Sequence, residues 1–138
     1  MEYKIEFKNG TLRIKDVKQD YVIDLRERLF HFAVECIRFL KYIPYQKEYE
    51  VFRFQLSRSA TSIGANYEES QASSFAEFRQ KIQICLRESR ETHYWLRLIK
   101  EVIRNDEQKY LEILTQLIAE IEEIKKIFGA ISVKIRKQ

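Results

Sequence analysis

The chain opens on strict alternation of apolar and polar positions. Tyr3, Ile5 and Phe7 are interleaved with Lys4, Glu6 and Lys8, and Leu12 and Ile14 with Arg13 and Lys15. Asn9-Gly10 stands between the two runs, and both residues tolerate the positive φ of a type I′ turn, so the pattern predicts a β-hairpin. Pairing across the turn sets Phe7 opposite Leu12 and Ile5 opposite Ile14 on one face, with Glu6 opposite Arg13 on the other. A lone hairpin is marginal in water, so its apolar face needs a third strand or a helix. Ile131 to Ile135 also alternates and follows Gly129, which makes it a candidate for that strand. The competing reading there is a frayed helix end and a loose arm.

From Asp20 the period changes to three and four. Val22, Leu25, Leu29, Phe32, Ala33, Cys36, Ile37 and Leu40 form one helical stripe, closed by Pro44. A second helix is expected from about Lys47 to Ala72, with Phe52, Leu56, Ser59, Ala60, Ile63, Asn66, Tyr67 and Ser70 inward. The third starts at Ser73-Ser74, where Ser74 and Glu77 have capping-box spacing, and turns Phe75, Phe78, Ile82, Cys85, Ser89, Leu96 and Ile103 to the core. The fourth starts at the N-cap pair Asn105-Asp106 and carries Tyr110, Leu114, Leu117, Ile121, Ile124 and Phe128 to a stop at Gly129. Short connections make neighbouring helices antiparallel. The fold class is therefore all-α: an antiparallel up-down-up-down four-helix bundle over 20–130, preceded by the hairpin arm (1–19) and followed by a tail (131–138) that holds the candidate strand.

Two helices carry more than one face. Ile84, Trp95, Leu98 and Val102 fall roughly opposite the core stripe of the third helix, and Ser57, Thr61, Gly64 and Ala65, all small and uncharged, lie off the core stripe of the second. An apolar stripe centred on Trp, facing small residues that admit another backbone, fits an interface between copies of the chain. The alternative is a wide core that wraps around both helices. Asn66, on the core stripe near Ser59, must find partners for a buried amide, and Glu88 and Glu91 of the third helix are the expected ones.

Composition adds bounds. The 138 residues suit one domain, three Gly and one Pro are few, and a third of the chain is charged, which fits an ordered helical protein. Cys36 and Cys85 have no metal or redox spacing and read as reduced core residues. No apolar run approaches the ~20 residues that span a bilayer, and the first residues lack the apolar stretch of a signal peptide, so a soluble cytoplasmic protein without membrane contact is expected. The net charge of +4 permits nucleic-acid contact without demanding it. Arg79, Arg90, Arg97 and Arg104 share one flank of the third helix, with Arg87 and Lys100 to either side, a strip suited to RNA phosphates. The competing reading is a solvated face paired with Glu77, Glu101 and the acids of the fourth helix.

Catalytic constellations are weaker. A di-iron bundle needs Glu-x-x-His, yet Arg28 precedes His31 and Arg90 precedes His93 at that spacing. Glu88-x-x-Glu91 and Glu120-x-x-Glu123 lack the further acids that would close a magnesium site. Arg26 with His31 and Arg87 with His93 have the spacing of small helical ribonucleases, in which Arg holds phosphate and His moves a proton. No Gly-rich phosphate loop, Ser-His-Asp set or zinc spacing is present, and no metal or cofactor is expected.

The segments Leu56-Ser-Arg-Ser-Ala-Thr-Ser-Ile-Gly-Ala-Asn-Tyr-Glu-Glu69, Phe75-Ala-Glu-Phe78 and Leu86-Arg-Glu-Ser-Arg-Glu-Thr-His-Tyr-Trp-Leu96 resemble the four helix bundle proteins encoded in 23S ribosomal RNA intervening sequences. Residues Ser59, Ser62, Ile63, Asn66, Glu69, Glu88, Glu91 and Trp95 match positions that define that family, over roughly 20–130. The resemblance implies a bundle that assembles into a ring-like homopentamer, similar also to the accessory protein of diversity-generating retroelements, which binds a reverse transcriptase and nucleic acid through a basic surface. It carries no catalytic residue. The expectation is a non-catalytic homo-oligomeric adaptor or scaffold with a basic surface for RNA or a protein partner. A purely structural self-assembling protein is the first alternative, and a ribonuclease the second.

Overall fold

The computed structural model describes residues 2–72 and 74–137. Strands β1 (Tyr3–Lys8) and β2 (Thr11–Asp16) form the hairpin in the expected register, with Ile5 opposite Ile14, Glu6 opposite Arg13 and Phe7 opposite Leu12. Asn9 and Gly10 both take positive φ, at 53° and 76°, as a type I′ turn requires.

The third strand comes from a different segment than Ile131 to Ile135. It is β3 (Tyr21–Val22), which pairs antiparallel with β2 to give the order β1-β2-β3. Asp16 Oδ1 accepts from Gln19 N at 2.9 Å, and Asp20 turns the chain back at a φ of 57°. Val22, expected in the first helix, is thus a strand residue and 49% exposed.

Four helices follow. Helix α1 (Leu25–Phe39) is capped by Asp24, whose Oδ1 accepts from Glu27 N at 3.2 Å, and buries Leu25, Leu29, Phe32, Cys36 and Phe39. Its Ile37 faces outward, against expectation, because it lies about 120° around the helix from Leu25. Two 3-10 turns, Leu40–Tyr42 and Lys47–Tyr49, flank Pro44 and lead into α2 (Glu50–Ser70). Helix α3 (Phe75–Val102) begins with the expected capping box: Ser74 Oγ accepts from Glu77 N at 3.3 Å and lies 3.1 Å from Glu77 Oε1. Ser73, the other residue of that predicted start, lies outside the described residues. Phe75 is exposed rather than inward, and its ring meets Phe78 and Phe7 at centroid distances of 6.2 and 6.4 Å.

Helix α4 runs over Gln108–Arg136, about 43 Å, well past Gly129. The helix starts at Gln108 with Glu107 at its N-cap position, not at the expected pair Asn105-Asp106, because Asn105 Oδ1 accepts from Glu107 N at 2.9 Å in the turn before it. Gly129 is no terminator: an added Cβ would meet nothing within 4 Å, and its φ is not positive. Ile124, Ile127, Phe128, Ile131 and Ile135 stay on one buried stripe, so the apolar period carries the helix through the glycine.

Helix α2 packs along α1 and α3, and α4 packs along α3 and α1, which closes the up-down-up-down bundle. Leu56, Ile63, Ile82, Leu96, Ile99, Ile121, Ile124 and Phe128 fill its centre. Tyr3, Ile5 and Ile14 of the sheet join the same core, and Tyr3 Oη donates to Glu123 Oε1 of α4 at 2.8 Å. Cys36 and Cys85 are free and buried, and burial pushes both thiols up, Cys85 to about 12. Among the described residues, no helix is long and apolar enough to cross a membrane.

Candidate nucleic-acid interface

Helix α3 is tied to α2 by a polar seam, and this leaves its other flank to solvent. Arg58 of α2 reaches across to Glu88 Oε2 at 3.1 Å and to the Glu91 carboxylate, while its Nε donates to Gln55 at 3.0 Å. One helical step on, Thr92 Oγ1 lies 2.8 Å from both Ser59 Oγ and the Glu88 carbonyl, all buried. The carbonyl can only accept, so the Thr92 proton goes there and Ser59 donates to Thr92. The Arg58 hydrogen bond holds the Glu91 carboxyl below its ordinary range.

Asn66 takes no part in that seam. Its Nδ2 donates to the Ser62 carbonyl at 2.9 Å and to Ser62 Oγ at 3.0 Å, within its own helix. The antiparallel run that sets Ser59 beside Thr92 and Ile63 beside Cys85 puts Asn66 about two turns from Glu88 and Glu91. The cross-link expected of Asn66 is made by Arg58, a residue the sequence marked only as the start of the small-residue stretch. Its fixed cation among two acids at i and i+3 was the signal available.

The opposite flank of α3 carries the basic strip. Arg79, Arg90 and Arg97 lie within about 20° of one another around the axis and span about 27 Å along it, with Lys100 in the last turn; Arg104, expected on the same flank, lies beyond the helix, which ends at Val102 where Ile103 turns extended. All five are exposed, and among the described residues none of them makes an ion pair. Arg87 stands apart, nearer the seam, with Nη2 3.9 Å from Glu88. Several of the acids that were to neutralise the strip have other partners, whereas Glu101 lines the same groove as Arg97 and Lys100 and forms no ion pair among the described residues. Glu120 receives both Nε and Nη2 of Arg28 at 2.7 Å, Glu123 accepts from Tyr3 and Lys126, and Glu77 sits in the capping box. Among the arginines of α1 and α2, Arg26 is paired with Glu68 at 2.5 Å and Arg58 as above, whereas Arg53 holds no acid among the described residues and donates to the Ile43 carbonyl at 2.6 Å.

Between α3 and α4 the strip borders a groove of about 410 Å³ lined by His93, Tyr94, Arg97, Lys100, Ile118 and Glu122 among others. His93 Nδ1 is 3.0 Å from Lys125 Nζ and Nε2 is 3.6 Å from Glu122. Burial, and then the Lys125 charge, lower the His93 pKa, so the ring is neutral at pH 7. Tyr94 is exposed beside the strip, its ring edge-on to Trp95 at 5.4 Å.

The two Arg-His pairs do not converge. Arg26 faces α2, where Glu68 holds it, whereas His31 lines a cleft against α4 with Glu120. Arg87 leans toward Glu88 on the α2 side, and His93 points to α4. Among the described residues no group of three or more His, Cys, Asp and Glu could hold a metal ion.

The residues expected at an interface divide. Gly64 lies against α1 of the same chain, where an added Cβ would be 3.6 Å from Leu29 Cβ, so its small size serves the α1–α2 contact rather than a neighbour. Trp95 is half-buried, with Nε1 donating to Glu91 at 3.2 Å and its ring 6.5 Å from Phe52. Ile84 and Leu98 are half-buried as well, and Val102 is exposed. Ser57, Thr61 and Ala65 remain on the outer side of α2, and Ser57 and Thr61 bond to backbone carbonyls of their own helix. Phe54 shares that outer face of α2, and both it and Phe30 of α1 are 65% exposed, residues that the sequence reading passed over. Phe54 could have been noticed, since it lies about 200° from Phe52 and cannot share its stripe.

Fold and surface together define a four-helix bundle with an N-terminal three-stranded sheet and a basic flank on α3. The family model for the 23S rRNA-intervening sequence protein matches residues 23–130, and the chain belongs to that family. It is also similar to a protein of unknown function from the S23 ribosomal protein family of Bacteroides thetaiotaomicron, with 33% identity, 78% of this chain and 97% of that chain covered, and a TM-score of 0.65. No curated protein matches the chain. The hairpin and β3 lie before the residues matched by the family model.

Proposed function

We propose that the chain is a non-catalytic, homo-oligomeric adaptor of the cytoplasm whose α3 strip binds the phosphate backbone of RNA. The observation that carries this reading is the division of the arginines. Arg26, Arg28 and Arg58 are each held by a carboxylate, whereas Arg79, Arg90, Arg97, Lys100 and Arg104 hold none among the described residues. An arginine without an acid keeps its full field and a free guanidinium fork, the combination that phosphate recognition uses. The unpaired cations of α3 form one positive flank, with Tyr94 beside it as a stacking surface.

Self-assembly is the second component. Phe30 and Phe54 are large and exposed, and Phe54 shares the outer face of α2 with Ser57, Thr61 and Ala65, a better candidate for a covered face than for solvent. A ring, the pentamer implied by the resemblance, would repeat the strip in every subunit and raise its avidity for a long polyanion.

The test is fluorescence anisotropy with a labelled single-stranded RNA. Arg90→Glu combined with Arg97→Glu is expected to weaken binding by more than tenfold, whereas Arg26→Gln, which removes a paired cation, leaves it within about twofold. Equal loss in both variants would remove the strip from the account.

A further inference from the structure

Strand β1 lies at the edge of the sheet. The sheet order is β1-β2-β3, so among the described residues one side of β1 has no neighbouring strand. Val17 N donates to Glu2 O at 2.9 Å, which makes Glu2/Val17, Lys4/Lys15 and Glu6/Arg13 the hydrogen-bonded pairs of the ladder. The alternate residues Tyr3, Ile5 and Phe7 therefore turn their N–H and C=O groups away from β2. The same alternation holds across the sheet, because Ile14, the partner of Ile5, gives its carbonyl to Ile23 N at 2.8 Å on the β3 side.

Along that open edge runs a groove of about 450 Å³ between β1 and the last turns of α4. Ala130 and Val133 give it an apolar lining, and Lys4, Lys134 and Lys137 give it positive charge. Among the described residues of the lining Glu6 is the only acid, and it is already shared by Lys4 at 3.1 Å and Arg13 at 3.3 Å. Lys134 and Lys137 make no ion pair among the described residues.

We infer that this edge is a docking site for an extended acidic peptide segment of a partner protein, added antiparallel or parallel to β1 as a fourth strand. Main-chain bonds to Tyr3, Ile5 and Phe7 supply the affinity, and the alternating side chains supply the choice of partner. Valine-like side chains on one face meet Ala130 and Val133, and carboxylates meet the lysines. Charge decides between occupants: a second copy would bring its own Lys134 and Lys137 to the same groove, and RNA has no main-chain donors and acceptors in strand register. The feature depends on the extension of α4 beyond Gly129, since a helix ending there would leave the groove without its second wall.

The probe is an acetylated, amidated six-residue peptide alternating Glu and Val, titrated into the full ¹⁵N-labelled chain. Its controls are the Lys-Val counterpart and a fully N-methylated Glu-Val peptide. The acidic peptide is expected to bind and to slow amide exchange at Tyr3, Ile5 and Phe7, with Lys4 and Glu6 unchanged because their amides already serve the ladder. N-methylation is expected to weaken binding about tenfold or more, and Lys134→Glu with Lys137→Glu about fivefold. Absence of binding, equal affinity of the N-methylated peptide, or protection that rises with protein concentration alone would overturn the inference. The last result would assign the edge to a second copy.

Discussion

Arg58 of α2 donates to Glu88 of α3 at 3.1 Å, and Glu88 is 8% exposed while Arg58 is 39% exposed. The carboxylate is therefore the buried partner and the guanidinium the screened one. Arg58→Met should cost about 1–3 kcal/mol in urea denaturation, because it strands a buried charge, with solvent at the arginine keeping the loss below that of a fully buried pair. Adding Glu88→Gln should recover part of it. The same variant changes the acid limb. Glu91 has its pKa lowered in the fold, so its contribution is present above its ordinary value of 4.5 and is lost as pH falls through the folded value. Without Arg58, stability should fall less steeply below pH 4.5.

Glycine substitutions test the helix boundaries. Gly129→Ala adds a Cβ to open space inside α4 and should stabilise by about 0.5–1 kcal/mol, where a helix-ending glycine would respond with a loss. Gly64→Ala meets Leu29 Cβ at 3.6 Å, an ordinary contact, and should be tolerated, whereas Gly64→Leu should force α1 from α2. Thermal melts of the three variants read these outcomes.

The hairpin was fully legible because its alternation and its turn lie within a dozen contiguous residues, each reinforcing the other. The reach of α4 was not, since Ile131, Val133 and Ile135 satisfy a period of two while Ile131 and Ile135 also satisfy a period of four. The choice belongs to the core, which buries Ile131 and Ile135 and leaves Val133 outside. The strip on α3 could be read from spacing alone. Its lack of acid partners could not, because Glu120 is captured by Arg28 only once α1 and α4 lie side by side. Asn66 failed for a similar reason: an azimuth on one helix says nothing of the level at which the facing helix meets it.

His93 gives a second pH signature. Its folded pKa is lowered by burial and by Lys125, so the unfolded chain takes up the proton more readily. Stability is full above the ordinary value of 6.5 and declines as pH falls through and below it. Denaturant midpoints measured from pH 7.5 to 5 should show that decline in the native chain and a flatter profile in His93→Gln.

Assembly is read by light scattering coupled to size exclusion. The native chain is expected as an oligomer of the 16.8 kDa subunit, and Phe54→Asp or Phe30→Asp should release monomer with unchanged helical circular dichroism. Disruption by Trp95→Ala alone, with both phenylalanine variants still assembled, would move the interface to the α3 stripe.

The central claim is that the unpaired cations of α3 meet RNA phosphates, and the salt dependence of binding tests it most directly. Affinity for a labelled single-stranded RNA, measured over a series of KCl concentrations, should fall linearly on logarithmic axes. The slope should become shallower by about 0.7 for each of Arg79, Arg90 and Arg97 replaced by Gln. A slope unchanged by all three replacements, or RNA affinity indifferent to salt in the native chain, would contradict the account.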